Sequence, residues 1–209
     1  MTMVAVKICG VTRERDAVLA AECGAWAVGF VFAAESPRCV TVDRAMGIAG
    51  ALPATVQRVG VFIDAPVEAI LAVCRQVPLD LVQLHGAEPG DVCRKIGLWR
   101  CIKAVELTGR ESVERAVGFD SVLLLADRPK TQESPVDFAL ARDVARRRRA
   151  ILAGGLTPAN VAHAVRFVQP WGVDVSSGIE SAPGIKDPAQ LKAFCDAVRS
   201  THRVKGGKV

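Results

Sequence analysis

The chain has 209 residues, a formal net charge of +5 at pH 7 and seven cysteines, and half of its residues are apolar. This length suits one domain with a sizeable core and is too short to suggest two. The cysteines lack C-x-x-C spacing, which argues against a disulfide framework or a zinc site, and no apolar run is long enough to cross a bilayer. Residues 1–9 enter a strand pattern with no charged leader, so we expect a cytoplasmic protein.

Short apolar runs alternate with helical segments eight times. The predicted strands cover residues 4–9, 27–32, 58–62, 79–84, 100–105, 121–126, 150–153 and 172–176. Eight strand–helix units of roughly 26 residues suit a (β/α)8 TIM barrel. A doubly wound open sheet usually carries its phosphate loop after the first strand, where this chain has no glycine-rich loop. We therefore predict a single α/β barrel domain over residues 1–209, with a flexible basic tail at 203–209.

Capping residues and prolines indicate the helix boundaries. The predicted start signals are Thr12, Thr41, Pro66, Pro158 after Thr157, and Pro188 after Asp187. Gly24 and Gly97 follow helical runs and are the predicted stops.

The last two strands are followed by turns typical of a phosphate site. Leu152-Ala-Gly-Gly-Leu-Thr-Pro158 supplies Gly154 and Gly155, and the next turn supplies Ser176, Ser177 and Gly178. Glycines let the backbone approach a phosphate, the serine hydroxyls can donate to it, and a TIM barrel often holds phosphate at this place. Ordinary glycine-containing connections are the alternative.

Two residues at predicted strand ends could carry proton chemistry. Cys9 ends the first strand, where alternation places Lys7 on the same face, and a nearby ammonium favours a thiolate. Asp127 follows the apolar run 122–126, and an apolar rim would suit a general acid. An inert buried cysteine and a surface turn aspartate are the alternatives.

Three further features have both functional and ordinary explanations. Arg38 could hold a second anion such as a carboxylate, or it could be a surface arginine. His85 is expected to be a hydrogen-bonded rim residue rather than a catalyst. The basic run at residues 146–149 has no aromatic partners for nucleic acid, so we interpret it as a solvated helix end.

The motifs, taken together, resemble the phosphoribosylanthranilate isomerase family over nearly the whole chain. The matching segments are Lys7-Ile-Cys-Gly10, Gly29-Phe-Val-Phe32, Ser36-Pro-Arg38, Val59-Gly-Val-Phe62, Val82-Gln-Leu-His-Gly86, Ile102-Lys-Ala104, Leu152-Ala-Gly-Gly-Leu-Thr-Pro158, Asn160-Val161, and Gly172-Val-Asp-Val-Ser-Ser-Gly178 with Glu180, Gly184, Lys186 and Asp187.

The resemblance implies a cofactor-free and metal-free Amadori rearrangement of N-(5-phosphoribosyl)anthranilate to 1-(2-carboxyphenylamino)-1-deoxyribulose 5-phosphate in tryptophan biosynthesis. It implies that Cys9 is the general base, Asp127 the general acid and Arg38 the ligand of the anthranilate carboxylate, while the two C-terminal turns bind phosphate and His85 contacts substrate. The expected partner is this phosphorylated small molecule, with no nucleic acid or membrane, and the protein would be a monomer or a homodimer.

One segment departs from the family pattern. After its strand-six aspartate the family usually has a glycine-rich loop, whereas residues 128–138 contain no glycine. Two alternative functions therefore stay open: an isomerase or epimerase acting on another phosphorylated sugar, and a barrel that binds a phosphorylated ligand without catalysis.

Overall fold

Eight parallel strands close into a barrel in the computed structural model, which describes residues 3–201. The strands are β1 Ala5–Cys9, β2 Ala27–Val31, β3 Gln57–Phe62, β4 Leu81–Leu84, β5 Cys101–Glu106, β6 Leu123–Asp127, β7 Ala150–Leu152 and β8 Gly172–Val175. Each pairs with its neighbours in sequence, and β1 also pairs with β8, where Lys7 is opposite Asp174. The predicted (β/α)8 TIM barrel is confirmed.

Helices follow the strands and cover the outside of the barrel. They are α1 Glu14–Glu22, α2 Val42–Gly50, α3 Val67–Gln76, α4 Gly90–Ile96, α5 Arg110–Gly118, α6 Phe138–Arg147, α7 Val161–Val168 and α8 Pro188–Ser200, with short 3-10 helices at Leu98–Arg100 and Ser177–Ile179. Alternate strand residues form two apolar layers, because successive side chains point to opposite faces. Leu123 and Leu125 lie in the inner layer, whereas Leu124 packs outside against the helices.

Most of the predicted helix signals act where they were expected. Thr41 and Asp187 accept hydrogen bonds from the backbone N–H groups of Arg44 and Gln190. The predicted start of the seventh helix at Pro158 is wrong, since α7 begins at Val161. Asn160 accounts for the difference: its side chain accepts from Thr157 N and donates to Gly155 O, which holds this segment as a turn.

A short antiparallel hairpin between β8 and α8 was not predicted. Its strands are β9 Glu180–Ala182 and β10 Ile185–Lys186. Thr12 Oγ1 donates to Gly184 O at 2.6 Å, and the backbone N–H of Lys186 donates to Asp16 Oδ2 at 3.1 Å. The hairpin therefore fastens the segment between β8 and α8 to the segment after β1.

Three of the four arginines at residues 146–149 have structural partners. Arg147 pairs with Glu114, Arg148 donates to the carbonyls that end α5, and Arg149 lies over the ring of Trp171 at 4.0 Å. All seven cysteines are free thiols. Across residues 3–201, no helix is both long and apolar enough to span a bilayer. The predicted tail at 203–209 lies outside the described residues.

Candidate active site

A cavity of about 280 Å³ opens at the carboxyl ends of the barrel strands. All nine predicted site residues line it: Cys9, Arg38, His85, Asp127, Gly154, Gly155, Ser176, Ser177 and Gly178. Strands β1 and β6 and the segments that follow β2, β4, β7 and β8 supply them, and the parallel arrangement brings these distant segments to one rim. A larger cavity beside β4 and β5 shares His85 and Lys130 with this site.

Cys9 is buried at the end of β1 directly above an ion pair inside the barrel. Lys7 is fully buried, and its Nζ lies 2.9 Å from Asp174 Oδ1 on β8. A Cβ added to Gly29 would lie 2.9 Å from Cys9 Sγ and 3.3 Å from Lys7 Nζ, so this glycine leaves room for both groups. The thiol and the ammonium therefore share a confined space.

Burial raises the pKa of the Cys9 thiol above its ordinary value. Lys7 and Lys186 act in the opposite direction, whereas Asp174 adds to the rise. The expected effect of Lys7 is thus present, but it does not prevail over desolvation. Desolvation therefore favours the thiol over its anion at this position.

A chain of buried charges leads from Arg38 to the backbone of β1. Glu180 accepts from Arg38 Nε at 3.0 Å and from Arg38 Nη2 at 2.7 Å, and it also pairs with Lys186 at 2.7 Å. Lys186 Nζ in turn donates to Cys9 O at 2.6 Å and to Ser176 O at 3.2 Å. Arg38 is therefore a fixed guanidinium, not a loose surface side chain.

The pKa values along this chain of charges reflect tight pairing. Burial alone would raise the pKa of Glu180, but hydrogen bonds from Arg38 and Lys186 outweigh it and lower the pKa. Burial lowers the pKa of Lys186, against the opposing influence of Glu180. The hydrogen bond with Glu180 raises the pKa of Arg38. The carboxylate is thus held ionised between two cations.

Asp127 ends β6 and is held from two sides. Its Oδ1 accepts from the backbone N–H of Arg128 at 2.8 Å, and its Oδ2 lies 3.1 Å from His85 Nε2. The other ring nitrogen of His85 lies 2.7 Å from Gln83 Nε2. His85 is therefore a hydrogen-bonded rim residue, and its contact is with the candidate acid.

The two predicted phosphate turns touch each other. A Cβ on Gly178 would lie 1.9 Å from the carbonyl oxygen of Leu156, so the turn after β8 needs glycine there. Gly154 and Gly155 have φ of +82° and +75°, a region that favours glycine. The turns after β7 and β8 thus present backbone to one cavity.

The glycine-free loop after Asp127 folds against the first of these turns. Arg128 Nη1 donates to the carbonyls of Glu133 and Ser134, which closes the loop on itself. Val136 N donates to Gly154 O at 3.1 Å, and a Cβ on Gly155 would lie 3.0 Å from Pro135 Cα. Side-chain bonds thus fold this loop without glycine.

Several residues that surround the site had no predicted role. Gln83, Asp174, Glu180 and Lys186 are polar residues within short strand-like runs, and all are buried or nearly so. A polar residue inside an apolar run was the available signal, because such residues are rarely buried without a partner. Within residues 3–201, no group of three His, Cys, Asp or Glu side chains is placed to hold a metal ion.

Comparison with known proteins gives a consistent result. Residues 6–197 match the model of the family described as N-(5'phosphoribosyl)anthranilate (PRA) isomerase. The chain is 40% identical over 204 residues to N-(5'-phosphoribosyl)anthranilate isomerase of Pelobacter propionicus, which covers 95% of this chain and 97% of the relative.

Comparison with solved structures points to the same family. One is a crystal structure of phosphoribosyl anthranilate isomerase in complex with reduced 1-(o-carboxyphenylamino)-1-deoxyribulose 5-phosphate; its TM-score is 0.87 at 42% identity, with 95% of this chain and 100% of that chain covered. Another describes mutually generated monomers of the dimeric Thermotoga maritima protein, with a TM-score of 0.86 at 41% identity and the same coverage.

Proposed function

The chain belongs to the N-(5'-phosphoribosyl)anthranilate isomerase family, and from this membership we propose that Cys9 and Asp127 carry out the rearrangement. The activity is an Amadori isomerisation of an aminoaldose phosphate in tryptophan biosynthesis. One observation supports the proposed roles above all: the thiol, the carboxyl group, Arg38 and both glycine turns line a single cavity.

Asp127 begins the reaction as a general acid. It donates its proton to the furanose ring oxygen while the bond from C1 to that oxygen breaks and the nitrogen lone pair forms a C=N bond. The contacts from Arg128 N and His85 Nε2 hold the carboxyl group in place, which is what a general acid requires. The product of this step is a protonated open-chain imine.

Cys9 then acts as the general base. Its thiolate takes the proton from C2, and the electron pair of the C–H bond moves toward the protonated imine to give an enolamine. Gain of a proton at C1 and loss of one from the C2 hydroxyl complete the ketone. Burial keeps the pKa of Cys9 high, so Lys7 and Lys186 are the groups that favour the anion.

The two ends of the substrate are bound by charge and by backbone. Glu180 engages Nε and Nη2 of Arg38, and Nη1 faces no acceptor within the described residues, so it is the nitrogen for the anthranilate carboxylate. The turns at Gly154–Gly155 and Ser176–Gly178 bind the phosphate, and His85 lines the same cavity. The substrate thus spans the mouth with its reacting carbons between Cys9 and Asp127.

The family and its relatives also suggest a cellular location and an oligomeric state. We infer that the enzyme acts in the cytoplasm, where this biosynthetic family supplies an amino-acid precursor, and that it works as a monomer or a homodimer. The dimer is suggested by the Thermotoga maritima relative, whose crystal form is described as derived from a dimeric protein. Sedimentation of the purified chain decides between the two states.

A fluorescence assay of phosphoribosylanthranilate consumption tests the roles. Cys9→Ala and Asp127→Asn should each lower kcat on the order of 10³-fold, within the range of general acid–base catalysis. Cys74→Ala on α3 and Asp120→Asn before β6 are matched controls outside the cavity, and both should retain wild-type kcat. Near-normal turnover by a folded Cys9→Ala or Asp127→Asn variant would show that the altered residue does not have the proposed role.

A further inference from the structure

Gln83 carries an unusual buried amide beneath the candidate active site. Its side chain has no solvent exposure, and Oε1 has no hydrogen-bond partner within the described residues. Val61 and Ile102 are its register partners on the neighbouring strands, and both belong to the apolar inner layer. A buried polar atom without a partner is energetically unfavourable, so we expect the amide nitrogen of the same side chain to make a contact that compensates.

The other half of the amide fixes the proton of His85. Gln83 Nε2 lies 2.7 Å from His85 Nδ1, and an amide nitrogen can only donate. Nδ1 must then accept, so the proton of the neutral ring is on Nε2. Nε2 lies 3.1 Å from Asp127 Oδ2.

This tautomer leaves the proton of the acid free for substrate. In this tautomer His85 Nε2 carries a proton 3.1 Å from Asp127 Oδ2, and Arg128 N donates to Oδ1, so neither nitrogen accepts the proton of Asp127. If Nδ1 carried the ring proton, Nε2 would become an acceptor and would hold the carboxyl proton of Asp127. The acid would then be bonded to the ring instead of to the furanose oxygen.

We propose that Gln83 is a positioning residue that sets the tautomer of His85 and thereby keeps the proton of Asp127 available to the substrate. The proposal rests on the role of Asp127 given above. Gln83 touches no substrate, because it is buried below the rim and acts through His85.

Two variants of similar size separate proton control from packing. Gln83→Glu replaces the amide donor with a carboxylate acceptor, which favours a proton on Nδ1 of His85. This variant should lower kcat about tenfold or more, while KM changes less than about twofold. Gln83→Met offers neither donor nor acceptor and should retain more of the kcat. Thermal unfolding of both variants shows whether the barrel is intact.

Nitrogen-15 NMR gives a readout independent of activity. The chain has three histidines, and loss of one signal in His85→Asn identifies the ring concerned. We expect Nδ1 of His85 to be unprotonated in the wild type at neutral pH and protonated in Gln83→Glu. A protonated Nδ1 with an unprotonated Nε2 in the wild type overturns the proposal even if Gln83→Glu does not fold.

The kinetic outcomes are equally decisive. Equal losses of kcat in the Glu and Met variants, with Nδ1 unprotonated in both, would mean that Gln83 only packs, and the proposal would be wrong. Normal turnover by Asp127→Asn would refute the role of that acid, whereas the NMR spectrum would still report the tautomer. The two failures are therefore distinguishable.

Discussion

The ion pair beneath Cys9 gives the sharpest test of how the barrel interior controls the proposed base. We change Lys7 to Met, which removes the ammonium that favours the thiolate and leaves Asp174 without its partner at 2.9 Å. Lys7 lowers the pKa of Cys9 and Asp174 raises it, so both consequences of the change move that pKa upward. A base with a higher pKa is less ionised at neutral pH.

The size of the effect follows from the geometry. Cys9 Sγ and Lys7 Nζ both lie close to one point beside Gly29, at 2.9 and 3.3 Å, so the two atoms are separated by about 6 Å at most. At an effective dielectric constant of about 20, two unit charges at that distance interact by about 3 kcal/mol. Loss of this attraction raises the pKa of Cys9 and disfavours the thiolate, so kcat at neutral pH should fall about a hundredfold.

The assay is kcat as a function of pH. With the thiolate as the proposed active form, activity is lost as pH falls through the pKa of Cys9, and Lys7→Met should move this acidic limb to higher pH. Activity should recover in alkaline buffer.

Asp174→Asn is the opposite control and should move the same limb to lower pH, because the carboxylate raises the pKa of Cys9. The Lys7→Met/Asp174→Asn double variant avoids a buried unpaired carboxylate, which can cost about 3–5 kcal/mol of folding stability. An acidic limb that stays in place in folded Lys7→Met would refute the reasoning.

Two further predictions concern the ends of the substrate. Glu180→Gln should raise KM about tenfold with a smaller change in kcat, since Arg38 loses its charged partner; steady-state kinetics giving a wild-type KM in a folded variant would contradict this. Gly178→Ala should cost about 2–4 kcal/mol in urea unfolding, because the new Cβ meets Leu156 O. Gly90→Ala is the matched control, with open space around its Cβ, and an equal cost there would show that the close approach is irrelevant.

The sequence sufficed for the parts of the site that local rules determine. Cys9 and Asp127 end strands, and in a parallel barrel the ends of all strands meet at one rim, so order along the chain was enough. Gly154 and Gly178 were visible for a similar reason, since glycine is required where backbone must come close. Strand identity and the barrel followed from the alternation of apolar runs.

The contacts of buried polar groups were beyond such rules. Glu180 meets Arg38 across 142 positions, and Lys186 meets the carbonyl of Cys9 across 177. A two-residue strand is too short for a periodic pattern to predict such a partner. The contacts of the Gln83 amide could not be predicted either, because its position in the strand pattern is that of any inner-layer residue.

The hairpin that carries Lys186 makes the surroundings of Cys9 depend on a residue 177 positions further along the chain. Cys9 is synthesised long before Lys186, which is one of the two cations that lower its pKa, and before β8, which precedes Lys186 by only a few residues. During synthesis the thiol is therefore an ordinary cysteine without its final surroundings. A chain that stops before the hairpin lacks the hydrogen bonds from Lys186 to Cys9 O and Ser176 O, so Lys7 is the one of these two cations that its Cys9 retains.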